Sequence, residues 1–255
     1  MGFEMPKISM LENNGSCEKD EKNFNICENK YQEPKRFIFK TTQNNIIIPT
    51  EKLIKYKNID LRIIACLSAI SNVRDCTVEG SNTRYISVEK INKNIEAIAK
   101  CLGIKPKKVK EEINKMLALK TNELELKWVV DDEGTTNTWL EINYLKGEFI
   151  TLPYRLFEYV IGELSCRAFK TYCNLRWICF NKHINDFQEK IIKQEYLLQL
   201  IGLSISSKKS IRDITDELLE MGLITIRKGY IHEHKLFEKG ITKEVIYYSI
   251  VNMCL

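Results

Sequence analysis

The chain has no CxxC pair, no apolar run approaching the ~20 residues of a membrane-spanning helix, and no nucleophile elbow, phosphate-binding glycine loop or interpretable pair of catalytic carboxylates. Each absence closes a class. Its nine cysteines (Cys17, Cys27, Cys66, Cys76, Cys101, Cys166, Cys173, Cys179 and Cys254) are scattered. That argues against a zinc finger and a disulfide scaffold and for reduced thiols in a cytosol. The start lacks the apolar core of a signal peptide, so a cytoplasmic protein is expected. Met1-Gly2 opens like an acylation site, but Pro6 stands where a Ser or Thr is required. His232-Glu233-His234 comes nearest to a metal motif, yet no thiol or carboxylate stands at ligand spacing beside it. The expectation is a non-enzymatic chain with no metal, no cofactor and no membrane partner.

What is present is a foldable composition. Of 255 residues, 44% are hydrophobic and 29% charged, which permits a packed core. The length fits one large domain or two ordinary ones. A net charge of +5 and a pI near 8.6 are compatible with a polyanionic partner without requiring one.

The most informative stretch runs from Ala97 to Leu117 and reads as two short helices hinged at Gly103. Ala99 is small where the helices approach, and Gly103 suits a turn that a β-carbon disfavours. Pro106 suits a first helical turn, where its missing N–H is unpaired anyway. Val109, Ile113, Met116 and Leu117 repeat at helical spacing as a buried face. Lys105, Lys107, Lys108 and Lys110 remain outward, where a helix of this kind meets DNA. The plainer alternative is a helical hairpin with a solvated lysine face.

Residues 1–35 are polar and read as a flexible tail, since ordering them buries little. From Arg36, Phe37-Ile38-Phe39 and Ile46-Ile47-Ile48-Pro49 suggest strand structure. Asp60 is placed to cap a buried helix carrying Leu61, Ile63, Ile64, Leu67 and Ile70, and Ser87 to cap the helix leading into the hinge. Leu124, Leu126, Trp128 and Val130 then alternate, Asp132-Glu133-Gly134 turns, and Leu140, Ile142 and Tyr144 alternate on the return. Three helices and a hairpin make a first unit, residues 36–146. Its turn, Asp131-Asp132-Glu133, is acidic and suits protein or solvent better than phosphate.

The pattern recurs over residues 147–255. Phe149-Ile150-Thr151-Leu152-Pro153 echoes the first strand, and the helix after Ser165 echoes the helix after Asp60. Glu195 to Gly202 reads as a short helix, Ser204 to Ser207 as a turn and cap, and Lys208 to Met221 as a long helix with Ile211, Ile214, Leu218 and Leu219 inward. Gly222 stops that helix. Leu223 to Arg227 reads as a strand, Lys228-Gly229-Tyr230 as a tight turn, and Val245 to Val251 as an inner strand. Trp177, beside Leu175, Ile178, Cys179 and Phe180, reads as core, and Tyr247-Tyr248 as packing. A second candidate surface comprises Ser206, Ser207, Lys208, Lys209, Ser210 and Arg212, with Arg227 and Lys228 on the hairpin. A solvated helix start is the alternative.

The expected fold is therefore mainly α with small β-hairpins (α+β): two tandem winged helices after a disordered tail. This order, with the Ala99/Gly103/Val109 and Gly202/Ile211/Gly222 frames, resembles the plasmid replication initiator proteins that bind repeated sites at an origin. The resemblance covers about Arg36 to Val251. It implies that the second unit makes the main contact, with Lys208, Lys209 and Arg212 reading bases and Arg227 and Lys228 holding the backbone. It also implies a first unit that helps dimerise, double-stranded DNA as partner, host replication proteins as further partners, and a possible homodimer. This chain departs from that pattern in carrying its cleaner hinge in the first unit. A regulator of transcription or partition on a mobile element, or a phage or plasmid protein that inhibits a host protein through the same surfaces, are the alternatives.

Overall fold

At the centre lie two helices that are buried on nearly every side, enclosed by their neighbours. In the computed structural model, which describes residues 44–49, 59–73, 82–118, 124–130, 136–144, 149–233 and 241–252, all ten residues of α1 (Leu61–Ile70) are buried. So is most of α5 (Cys166–Cys179), including Ala168, Phe169, Tyr172, Cys173 and Leu175. Asp60 caps α1 through the Arg62 N–H at 3.0 Å, and Ser165 caps α5 through the Ala168 N–H at 3.2 Å. The two helices pack on each other. The strands before them, β1 (Asn45–Pro49) and β6 (Phe149–Pro153), pair antiparallel. Ile46 stands opposite Leu152 and Ile48 opposite Ile150, all four buried. The expected tail, Phe37-Ile38-Phe39 and the Asp131-Asp132-Glu133 turn lie outside the described residues.

Around this centre one order of elements occurs twice. In the first half, β2 (Asn72–Val73), β3 (Asn82–Ser87), α2 (Val88–Leu102), α3 (Pro106–Ala118), β4 (Leu124–Val130) and β5 (Thr136–Tyr144) form two helices and a sheet ordered β2-β3-β5-β4. In the second, α4 (Tyr154–Ile161) precedes α5. Then come β7 (Phe180–Asn181), β8 (Asp186–Phe187), β9 (Lys190–Ile191), α6 (Gln194–Ile201), α7 (Lys208–Glu220), β10 (Ile224–Glu233) and β11 (Ile241–Ile250). Their main sheet is ordered β10-β11-β9, while β7 and β8 pair separately. In both halves the strand just before the helix pair bonds to the second hairpin strand, β3 to β5 and β9 to β11. The described residues thus form a mixed α/β protein of seven helices and small antiparallel sheets, with more strand than the mainly α expectation allowed. None of these helices is long and apolar enough to cross a membrane.

Three expectations are corrected. Lys228-Gly229-Tyr230 is not a turn: the strand runs through it, opposite Ile246, Val245 and Glu244. Gly229 is there for packing, because a β-carbon would stand 2.6 Å from Cε2 of Tyr247, whose ring lies across the strand. Leu219 points outward at 39% exposure, since Ile211, Ile214 and Leu218 already supply the buried stripe of α7. Trp177 is 43% exposed and Phe180 38% exposed, because the last turn of α5 emerges from the core there.

Candidate nucleic-acid interface

Each half carries a helix, a left-handed glycine and a second helix. Gly103 (φ 65°) ends α2, and the Ile104 N–H bonds the Ala99 carbonyl at 3.0 Å behind it. The Lys105 carbonyl accepts from the Lys108 and Val109 N–H groups as α3 begins, with Pro106 at its first position. Val109, Ile113 and Met116 are buried and Leu117 half-buried, as the helical phase requires. Lys105, Lys107, Lys108 and Lys110 are all exposed.

The four lysines are not equivalent. Lys108 Nζ lies 3.0 Å from Glu112, a buried carboxylate that also receives Lys115 at 2.8 Å and the Asp60 backbone N–H at 3.3 Å. Burial pushes the Glu112 carboxyl up, but the bonds from Lys115, Lys108 and Asp60 outweigh it and hold the group below the usual carboxylate range. Its bond to Glu112 raises the Lys108 ammonium. Lys105, Lys107 and Lys110 pair with no carboxylate among the described residues.

In the second half Gly202 (φ 80°) ends α6, and the Leu203 N–H bonds the Leu198 carbonyl at 2.8 Å. The connection to α7 is longer and built of serines. Ser204 Oγ lies 3.0 Å from Ser206 Oγ, and the Ser207 N–H bonds the Ser204 carbonyl at 2.9 Å. Ser207 occupies the cap position, but its hydroxyl makes no cap bond, so the expected side-chain cap is absent. Ser206, Lys209 and Arg212 are exposed and Ser207 is half-buried; the Lys208 side chain lies outside the described residues. Beyond Arg212 the outward face of α7 turns acidic with Asp213, Asp216 and Glu220. Gly222 (φ 66°) ends it as expected, with the Leu223 N–H on the Leu218 carbonyl at 3.0 Å.

The hairpin cations are engaged within the chain. Arg227 donates to both oxygens of Glu189, through Nε at 3.3 Å and Nη2 at 2.5 Å, and its guanidinium lies 4.0 Å from the Tyr247 ring centre. Lys228 pairs with Glu244 at 3.1 Å. Both sit within the strand ladder. The His232 and Glu233 side chains and all of His234 lie outside the described residues.

One cleft joins the two halves. Lys108 and Glu112 of α3, Arg167 and Lys170 of α5, and Gly202 and Leu203 of the second connection all line it, so the start of α3 and the second glycine turn border a common space. Sequence reading missed Glu112, Arg167 and Lys170. Only Glu112 had a visible signal, its lysine partners standing four residues before and three after it. Arg167 and Lys170 lie far along the chain from α3, and only the packing of α5 brings them there. The chain matches no protein-family model and no curated relative.

Proposed function

We propose that the chain is a sequence-specific double-stranded DNA-binding protein of a plasmid or phage, without enzymatic activity, that initiates replication by binding repeats at an origin. On this reading the two halves, residues 36–146 and 147–255, are tandem winged helices. In each, the strand before the helix pair joins the second hairpin strand, which is the connectivity such a unit needs to set its second helix outward. The observation that carries the reading is the doubled helix, glycine, helix arrangement. Its outer helices begin with exposed cations, Lys105, Lys107 and Lys110 on one and Lys209 and Arg212 on the other, that have no carboxylate partner among the described residues. Charges left uncommitted at helix starts suit phosphate oxygens and guanine edges. Host replication proteins and a second copy of the chain are the further partners this role entails.

The test is a band-shift titration of the full chain against DNA flanking its own gene. A ladder of shifted species, one step per direct repeat, is the expected result. A single shift on a promoter palindrome identifies a regulator instead. No shift on any flanking duplex overturns the DNA reading and leaves binding to a host protein as the role of these surfaces.

A further inference from the structure

At the far end of α5 a second cavity opens, of about 540 Å³, within the range of small-molecule sites. Phe149 and Thr151 of β6 form one side, Trp177 the end of α5, and Phe180 and Phe187 the short β7–β8 hairpin. The hairpin is well braced: Asn181 Nδ2 donates to Gln188 Oε1 at 2.8 Å, the Gln188 N–H to the Cys179 carbonyl at 2.8 Å, and Phe180 meets Phe187 edge to face at 5.5 Å.

The charge inside that aromatic wall is unbalanced. Arg176 lines the cavity and is only 9% exposed. Its Nη1 donates to the Tyr172 hydroxyl at 3.2 Å and its Nη2 to the Thr151 carbonyl at 3.1 Å, while Nε has no acceptor. Its guanidinium lies 4.6 Å from the Phe187 ring centre and 5.6 Å from that of Tyr172. No carboxylate pairs with it among the described residues. Buried charges in proteins are ordinarily paired, because removal from water is costly unless an opposite charge offsets it. Here neutral oxygens and ring faces do all the offsetting, beside a space that a ring fits.

We infer that this cavity binds a small planar aromatic carboxylate, stacked among Trp177, Phe180 and Phe187 and paired through its carboxylate with Arg176. The ring suits the aromatic walls, and the anion supplies the opposite charge that the buried guanidinium lacks. This is independent of the proposed DNA role, since none of these residues belongs to the helix starts or hairpin cations.

The test is calorimetric titration of the full chain with 2-naphthoate, and with 2-naphthylmethanol as the neutral analogue of the same ring. Saturable 1:1 binding of the carboxylate is expected, about tenfold or more tighter than the alcohol. Trp177→Ala, at an exposed wall position, weakens 2-naphthoate by a similar factor without altering the thermal melt, and Arg176→Gln removes the preference for the anion. Lys93→Gln, an equal charge change on α2, leaves binding unaltered. Equal affinity for carboxylate and alcohol, absence of saturable binding, or an equal loss in Lys93→Gln overturns the inference. If Arg176→Gln fails to fold, the paired ligands and Trp177→Ala still decide it.

Discussion

The two outer helices, α3 and α7, are anchored alike and exposed differently. Glu112 of α3 accepts the backbone N–H of Asp60, the residue that caps α1, and Glu217 of α7 accepts the backbone N–H of Ser165, the residue that caps α5. Both pairs are 52 residues apart. Ser165 adds its hydroxyl to Glu217 at 2.8 Å, while Glu112 adds Lys108 and Lys115. The same device fixes each outer helix to the start of its central helix. It also costs the first half one of its four lysines, which the carboxylate holds. The second half leaves Lys209 and Arg212 without a carboxylate partner among the described residues but commits both hairpin cations, Arg227 and Lys228, to Glu189 and Glu244. What repeats is the scaffold; where the uncommitted charge stands differs between the halves.

The largest effects test the shared scaffold. Val109→Asp and Ile211→Asp each bury an unpaired charge at a fully buried position and are expected to cost about 4 kcal/mol or more. Thermal melts followed by circular dichroism should show equal losses. A large loss in one half only would break the equivalence. Next in size, Glu112→Gln leaves two lysines and a backbone N–H without their carboxylate and is expected to destabilise by about 2 kcal/mol. Glu217→Gln, at a more exposed clamp, should cost less in the same melts.

Lys170 sharpens the comparison between the central helices. It is 3% exposed, at the place in α5 that Ala65 holds in α1, and burial pulls its ammonium down from 10.5 to about 8. Between pH 8 and 10.5 the unfolded chain binds more protons at this group than the folded one. The penalty is therefore full below pH 8 and relieved as pH rises through that window. Lys170→Met is expected to raise stability at pH 7 by about 1–3 kcal/mol and to remove the gain between pH 8 and 10. Urea titrations at pH 7 and pH 10 check both.

Smaller still are the charge reversals on the surface. Lys107→Glu and Arg212→Glu should each weaken duplex binding by about tenfold with unchanged melts. Lys107 is a cleaner probe than Lys108, whose reversal would set a second carboxylate beside Glu112. Arg227→Gln should change affinity by less than about threefold, because Glu189 already holds that guanidinium. Fluorescence anisotropy on one labelled duplex ranks all three.

Much of this order was legible in the chain. Asp60 and Ser87 cap the helices they should, and Gly103, Gly202 and Gly222 take left-handed turns. These are local features, decided within a turn or two of the residue. What escaped was decided across the fold. Gly229 reads as a turn until the Tyr247 ring is seen against it, Trp177 reads as core until α5 is seen to end at the surface, and nothing near Glu112 announces Asp60. The cations were found, but which were already committed depended on Glu112, on Glu189 in the loop before β9, and on Glu244 of β11.

The most direct test is the salt dependence of duplex affinity for the full chain beside the Lys107→Glu/Arg212→Glu double variant. If the two outer helices contact phosphates, log affinity falls linearly with log salt for the parent, with a slope of magnitude about 4 or more, and less steeply for the variant. A flat dependence, or the same slope in both proteins, would contradict the account.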